Sequence, residues 1–135
     1  MTHVLIDSNV LIDIAAGDAT WGRWSKGTVA RLANEAILVI NPIVYAEVSA
    51  DFDRVEEVEA SFPPQIFRRE ALPHEAAFLA GRCHRDYRRR GGARSSILPG
   101  FLIGAHAAIK GYSLLTRDTR RFRTYVPRLR LITPE

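Results

Sequence analysis

The residues best suited to chemistry are three acids far apart in the chain, Asp7, Glu47 and Asp118. Asp7 follows the apolar run Val4-Leu5-Ile6 and precedes Ser8 and Asn9, two residues suited to starting a helix. Val10, Leu11 and Ile14 then recur at helical spacing, which puts Asp7 at the carboxyl end of a first strand. Asp118 follows the apolar stretch Tyr112–Thr116, and Glu47 lies early in the helix after a second strand. In an open α/β sheet, ligands bind beyond the carboxyl ends of the strands. Carboxylates gathered there repel and raise one another's pKa, and a divalent cation removes that penalty. All-oxygen ligation suits Mg²⁺ or Mn²⁺ better than zinc. Such an ion generates hydroxide from bound water and stabilises charge building on a phosphoryl group.

Taken singly, each acid also has a structural role open to it. Asp7 can favour the N-terminus of the next helix through the helix dipole. Glu47 can be an exposed helix residue, and Asp118 can cap the turn into Thr119 and Arg120. The metal reading rests on all three reaching one sheet edge. Asp13, nearly two turns down its helix from Asp7, is read as structural.

The elements that must position the acids can be traced in order. A helix is expected over about 21–36, with Val29, Leu32, Ala33 and Ala36 on one face. Ile37–Ile40 reads as a buried strand, and Asn41-Pro42 as the capped start of a helix over Ile43–Phe52. Val55, Val58 and Phe62 suggest a short helix stopped by Pro63-Pro64. Ile66–Leu72 reads as a third strand near an edge, because it carries Arg68, Arg69 and Glu70. The longest helix spans about 74–90. Its apolar side is Ala76, Ala80, Cys83 and Tyr87, and its other side carries Arg82, Arg85 and Arg89. A polar loop over Gly91–Ser96 leads to a helix over Phe101–Lys110, with Leu102, Ala105 and Ile109 on one side, closed by Gly111. Tyr112–Thr116 is a fourth strand and Leu129–Ile132 a last short one. Alternating strands and helices imply right-handed crossovers and a parallel sheet covered on both faces.

A chain of 135 residues, 47% hydrophobic and 25% charged, is expected to form one domain over 1–135 with a real core. No apolar run approaches the ~20 residues of a membrane span, and a strand beginning near residue 4 leaves no room for a signal peptide. Cys83 is the only cysteine, which rules out an internal disulfide. A cytoplasmic location is the expectation. The net charge is +4 and the pI about 9.7, carried mostly by arginine, since Lys26 and Lys110 are the only lysines. Arginine forks match phosphate oxygens and stack on bases, consistent with nucleic acid as a partner.

Four segments together resemble the successive motifs of PIN-domain ribonucleases, and of the VapC toxins of toxin–antitoxin pairs in particular. They are Ile6-Asp7-Ser8-Asn9-Val10-Leu11-Ile12, Tyr45-Ala46-Glu47-Val48, Pro99-Gly100-Phe101-Leu102-Ile103-Gly104-Ala105-His106-Ala107, and Leu115-Thr116-Arg117-Asp118. The resemblance implies a PIN-like three-layer α/β/α sandwich with a mostly parallel sheet of about five strands. It implies Mg²⁺- or Mn²⁺-dependent cleavage of structured RNA such as tRNA or ribosomal RNA. It also implies a homodimer and a VapB-type antitoxin whose C-terminal segment covers the site in a hetero-oligomer. By the same resemblance Asp7, Glu47 and Asp118 are metal-binding and catalytic, and Ser8 and Thr116 are supporting hydroxyls.

One position departs from the pattern. The family usually has aspartate where this chain has Gly100. Glycine cannot ligate a metal, and at a helix start aspartate would also help as a cap or dipole partner. Three readings follow: an inactivating change in a toxin that is otherwise hard to produce, a natural degenerate toxin, or a weaker site of three acids. Each leaves the chain impaired or inactive as a nuclease.

Arg82, Arg85, Arg89 and Arg94 form the strongest candidate for RNA backbone contact, with a solvated helix face as the plain alternative. Arg117, Arg120, Arg121 and Arg123 lie near Asp118 in sequence, to balance the acids, bind substrate or pair with a partner. His3, His74, His84 and His106 lack metal-ligand spacing, and His106 is read as a hydrogen-bonded structural histidine. A noncatalytic PIN-like module that binds RNA or protein is the main alternative, kept alive by Gly100. A phosphorylation receiver fits poorly, because no lysine follows the late strands.

Overall fold

The computed structural model describes residues 1–134. Five parallel strands form one sheet in the order β3-β2-β1-β4-β5: β1 Thr2–Ile6, β2 Ala36–Ile40, β3 Phe67–Arg69, β4 Ser113–Leu115 and β5 Leu131–Ile132. The helices are α1 Ser8–Ala16, α2 Gly22–Ala33, α3 Pro42–Ser49, α4 Val55–Ser61, α5 His74–Arg89, α6 Pro99–Lys110 and α7 Thr119–Tyr125. This is the expected three-layer α/β/α arrangement. Among the described residues no helix is long and apolar enough to cross a membrane.

The chain builds from β1 outward to β2 and β3, then returns to the other side of β1 with β4 and β5. The direction of winding therefore changes between β1 and β4, and the crevice beyond a parallel sheet opens at such a point. Register fixes what stands there. Ile6 pairs with Leu115, so the next residues, Asp7 and Thr116, leave the sheet side by side. The Asp7 N–H also donates to the Leu115 carbonyl at 2.9 Å, extending the pairing one residue past the strand. Val4, Leu5, Ile6, Leu38, Val39, Leu114 and Leu115 are buried, as central parallel strands covered on both faces require.

Several boundaries differ from expectation. Ala36 begins β2 rather than ending a helix, because α2 stops at Ala33. β3 is only three residues long, and its exposed Arg68 and Arg69 mark it as an edge strand, as anticipated. α6 starts at Pro99, not Phe101, and its apolar side is wider than a single stripe. Phe101, Ile103, Ala105, His106 and Ala107 are all buried, whereas Ile109 is exposed. A helix packed nearly all round carries little periodic signal. α7 was not expected at all. Phe122 within it is fully buried and reaches so close to α6 that a Cβ on Gly104 would lie 2.5 Å from Phe122 Cε1.

A polar network inside the fold holds α3, the helix that carries Glu47. Asn41 Oδ1 accepts from the Val44 N–H at 3.0 Å and caps the helix. The Asn41 amide then faces His106 Nδ1 at 3.0 Å, and His106 Nε2 faces Glu70 Oε1 at 2.9 Å. Since the Asn41 oxygen is already used, its NH₂ donates to Nδ1, and the ring proton sits on Nε2 and goes to Glu70. His106 is thus the structural histidine that was expected. Asn41→Ala removes a cap and strands a buried ring nitrogen. Urea unfolding is expected to register a loss of about 2–4 kcal/mol, and a loss below 0.5 kcal/mol would contradict this role for the network.

Candidate active site at the sheet edge

Asp7 is the N-cap of α1, in extended backbone at φ −69° and ψ 146°, and its side chain does not cap the helix. The carboxylate instead accepts from the Thr116 hydroxyl, with Oγ1 2.7 Å from Oδ2. That hydroxyl in turn accepts from the Asp118 N–H at 2.9 Å. Thr116 is fully buried and so ties the two acids' positions together across the β1–β4 seam. Glu47 comes from the third neighbouring element, α3, and accepts from the Ser8 hydroxyl at 2.6 Å. The Ser8 hydroxyl thus bonds Glu47 and the Thr116 hydroxyl bonds Asp7.

Asp7 is only 5% exposed. Burial pushes its carboxyl up from 3.8 to about 6, opposed by the hydrogen bonds from Thr116 and the Ser8 backbone and reinforced by the negative charges of Glu47 and Asp118. Asp7 thus lies within electrostatic reach of both other acids. Asp118 carries its own counter-ion: Arg121 Nη1 lies 3.0 Å from Asp118 Oδ2.

The donor set, three carboxylates with two hydroxyls behind them, has the chemistry of a hard divalent cation site. Asp7 supplies the observation that fits such an ion, since its buried charge is disfavoured and a cation beside it would relieve this. Asp7, Glu47 and Asp118 would hold the ion. Their side chains are not drawn together as they stand: among the described residues, no three His, Cys, Asp or Glu side chains form a metal-ligand group. Ser8 engages Glu47, and Arg121 engages Asp118.

Gly100 opens α6 beside this edge and is buried. A Cβ built on it would lie 2.7 Å from Arg121 Nη1, so the arginine fills the space of the acid the pattern leads one to expect.

Asp118 also lines an open cleft of about 540 Å³ shared by Arg94, Arg120, Arg121, Tyr87 and Tyr125. The arginines expected to meet RNA line two adjoining hollows. Arg94 faces this cleft, whereas Arg82, Arg85 and Arg89 border a neighbouring groove of about 250 Å³ on α5. Tyr125 borders both. An apolar hollow of about 450 Å³ beyond β2 and β3, between Tyr45 and Glu70, contains none of the three acids. Arg117 forks onto the buried Asp13, Nε to Oδ2 at 2.7 Å and Nη2 to Oδ1 at 2.8 Å, with Ser25 also donating to Asp13 at 3.1 Å. Asp13 is structural, as read from the sequence. Its pairing with Arg117 has no signature in a single sequence, and neither does the approach of Arg121 to Gly100.

No family model and no curated protein matches the chain. Solved structures do. A chain of the VapBC2 complex from Rickettsia felis, bound to a DNA fragment from its promoter, aligns at a TM-score of 0.74 with 16% identity, covering 99% of this chain and 100% of that one. A chain of VapBC-1 from nontypeable Haemophilus influenzae aligns at 0.73 with 15% identity, covering 98% of each. One of FitAcB from Neisseria gonorrhoeae aligns at 0.69 with 18% identity, covering 97% of each. At such identities the likeness establishes a shared fold over the whole chain.

The raised pKa of Asp7 has a consequence for stability. A carboxyl that titrates near 6 when folded and near 4 when unfolded binds more protons in the folded state between those values. Stability therefore falls as pH rises from about 4 to about 6, by up to about 3 kcal/mol, and stays low above. Asp7→Asn abolishes this penalty. In urea unfolding it is expected to be more stable than the parent by about 1–3 kcal/mol at pH 7.5, with the gap closing towards pH 4. Equal stability at pH 7.5 would show that the Asp7 charge is not held at a cost.

Proposed function

We propose that this chain is a PIN-like toxin of a toxin–antitoxin pair, built for Mg²⁺- or Mn²⁺-dependent cleavage of structured RNA such as tRNA or ribosomal RNA and impaired by Gly100. The observation that supports the reading is Asp7 at the β1–β4 switch point, buried, with its charge disfavoured and within electrostatic reach of Glu47 and Asp118. A divalent ion held there would activate water and neutralise charge on the phosphoryl group.

The chain's own residues have distinct parts in this scheme. Asp7 is the fixed anchor, because Thr116 and the end of β1 hold it. Glu47 and Asp118 approach from α3 and from the turn after β4. Arg94 and Arg120 border the cleft beside Asp118 and supply phosphate contacts, so binding should weaken with salt. Arg82, Arg85 and Arg89 extend the basic surface along α5 past Tyr125. A VapB-type antitoxin belongs to the same proposal, supported by the VapBC complexes named above that share the fold, and a homodimer is proposed with it. A cytoplasmic site of action and a single domain over residues 1–135 complete it.

A second reading, a noncatalytic module that binds RNA or protein, is favoured by one observation: Arg121 stands where the fourth acid would. Cleavage of total RNA with Mg²⁺ or Mn²⁺, against a chelator control, separates the two. Gly100→Asp is expected to cleave at least ~100-fold faster than the parent, because a lost ligand costs orders of magnitude. Robust metal-dependent cleavage by the parent would remove the impairment from the account. Failure of both chains on total RNA would favour the binding module.

A further inference from the structure

We propose that Arg121 is a built-in cation of this site, occupying the space of a side chain at position 100 and competing with a divalent ion for Asp118. The inference rests on the reading of the acid edge as a metal site. It begins with space. Gly100 is buried in the first turn of α6, and a Cβ there would stand 2.7 Å from Arg121 Nη1, 3.4 Å from Cδ and 3.6 Å from Cζ. The first of these distances is too short for any real carbon to tolerate. The guanidinium holds this place only because position 100 has no side chain.

The backbone of α7 cannot yield in its stead. Phe122, the next residue, is fully buried and locked against Gly104 one turn along α6. What can move is the Arg121 side chain, which is partly exposed. Its present position has an electrostatic result as well as a steric one. Nη1 reaches Asp118 Oδ2 at 3.0 Å, so a fixed positive charge already pairs with one of the three acids. A divalent ion must displace that charge or bind beside it, and like charges a few ångströms apart repel. Position 100 thus decides more than the number of ligands. It also decides whether Arg121 is in or out.

Mn²⁺ binding measured by calorimetry and by electron paramagnetic resonance of the free ion tests this without any reliance on activity. The chains to compare are the parent, Gly100→Ala, Arg121→Gln, Arg121→Lys, the Gly100→Ala/Arg121→Gln double variant and Gly100→Asp. Alanine adds no ligand, yet its Cβ must turn the guanidinium away. Gly100→Ala and Arg121→Gln are each expected to tighten Mn²⁺ binding about three- to tenfold. The double variant is expected to gain no more than either single change, because both remove the same contact. Arg121→Lys keeps a cation and is expected to stay within about twofold of the parent. Circular dichroism controls for folding. If Gly100→Asp binds Mn²⁺ more tightly while Gly100→Ala and Arg121→Gln match the parent, the proposal is overturned and the metal site stands. If no variant binds Mn²⁺, both fall.

Discussion

The hydrogen bond from the Thr116 hydroxyl to the Asp7 carboxylate is the contact on which the site depends. It joins two strands that are neighbours in space and distant in sequence, and it does so one residue beyond the sheet, where a carboxylate has lost most of its water. Burial raises the cost of the charge, and the hydroxyl and the first turn of α1 offset only part of it. A structural N-cap would have been cheaper in solvent, with its oxygen on the helix N–H groups. Asp7 makes no such capping bond; only the adjacent Ser8 N–H serves its carboxylate. The sheet order accounts for its placement: the winding reverses between β1 and β4, and the Asp7–Thr116 pair stands at that switch point.

Around this pair the fold distributes its remaining charges with little overlap. Arg117, next to Thr116, belongs to Asp13 and anchors the turn after β4 to α1. His106 belongs to Asn41 and Glu70 and anchors α3. These buried partnerships make the edge rigid where Asp7 and Thr116 sit. Glu47 and Asp118 are less buried, and their partners, Ser8 and Arg121, are of the kind that can be exchanged for a cation. The site thus combines one fixed acid with two adjustable ones, since a wholly rigid cluster of charges would be costly to fold.

The strands and Asp7 were legible in the sequence because β1, β2 and β4 are central, and central parallel strands appear as short continuous apolar runs. The cap at Asn41 and the stop at Gly111, with φ +71°, were legible because turn chemistry is local. α7 was not: it is seven residues long with one buried side chain, Phe122, too short for a period to emerge. The face of α6 was misjudged for the opposite reason, since it is buried nearly all round. Among site residues, Asp7, Glu47, Asp118, Ser8 and Thr116 could be placed by topology and family pattern. The contact of Arg121 with Gly100 could not, because a glycine announces the absence of a side chain and not what fills the space.

The most direct test of a buried, desolvated anchor carboxylate is a ¹³C NMR titration of the Asp7 side-chain carboxyl in the metal-free chain. A midpoint near 6 is predicted, set by burial at the β1–β4 seam. A midpoint near 4, the value of a solvated aspartate, would mean that Asp7 is open to water and that the site is not organised around it.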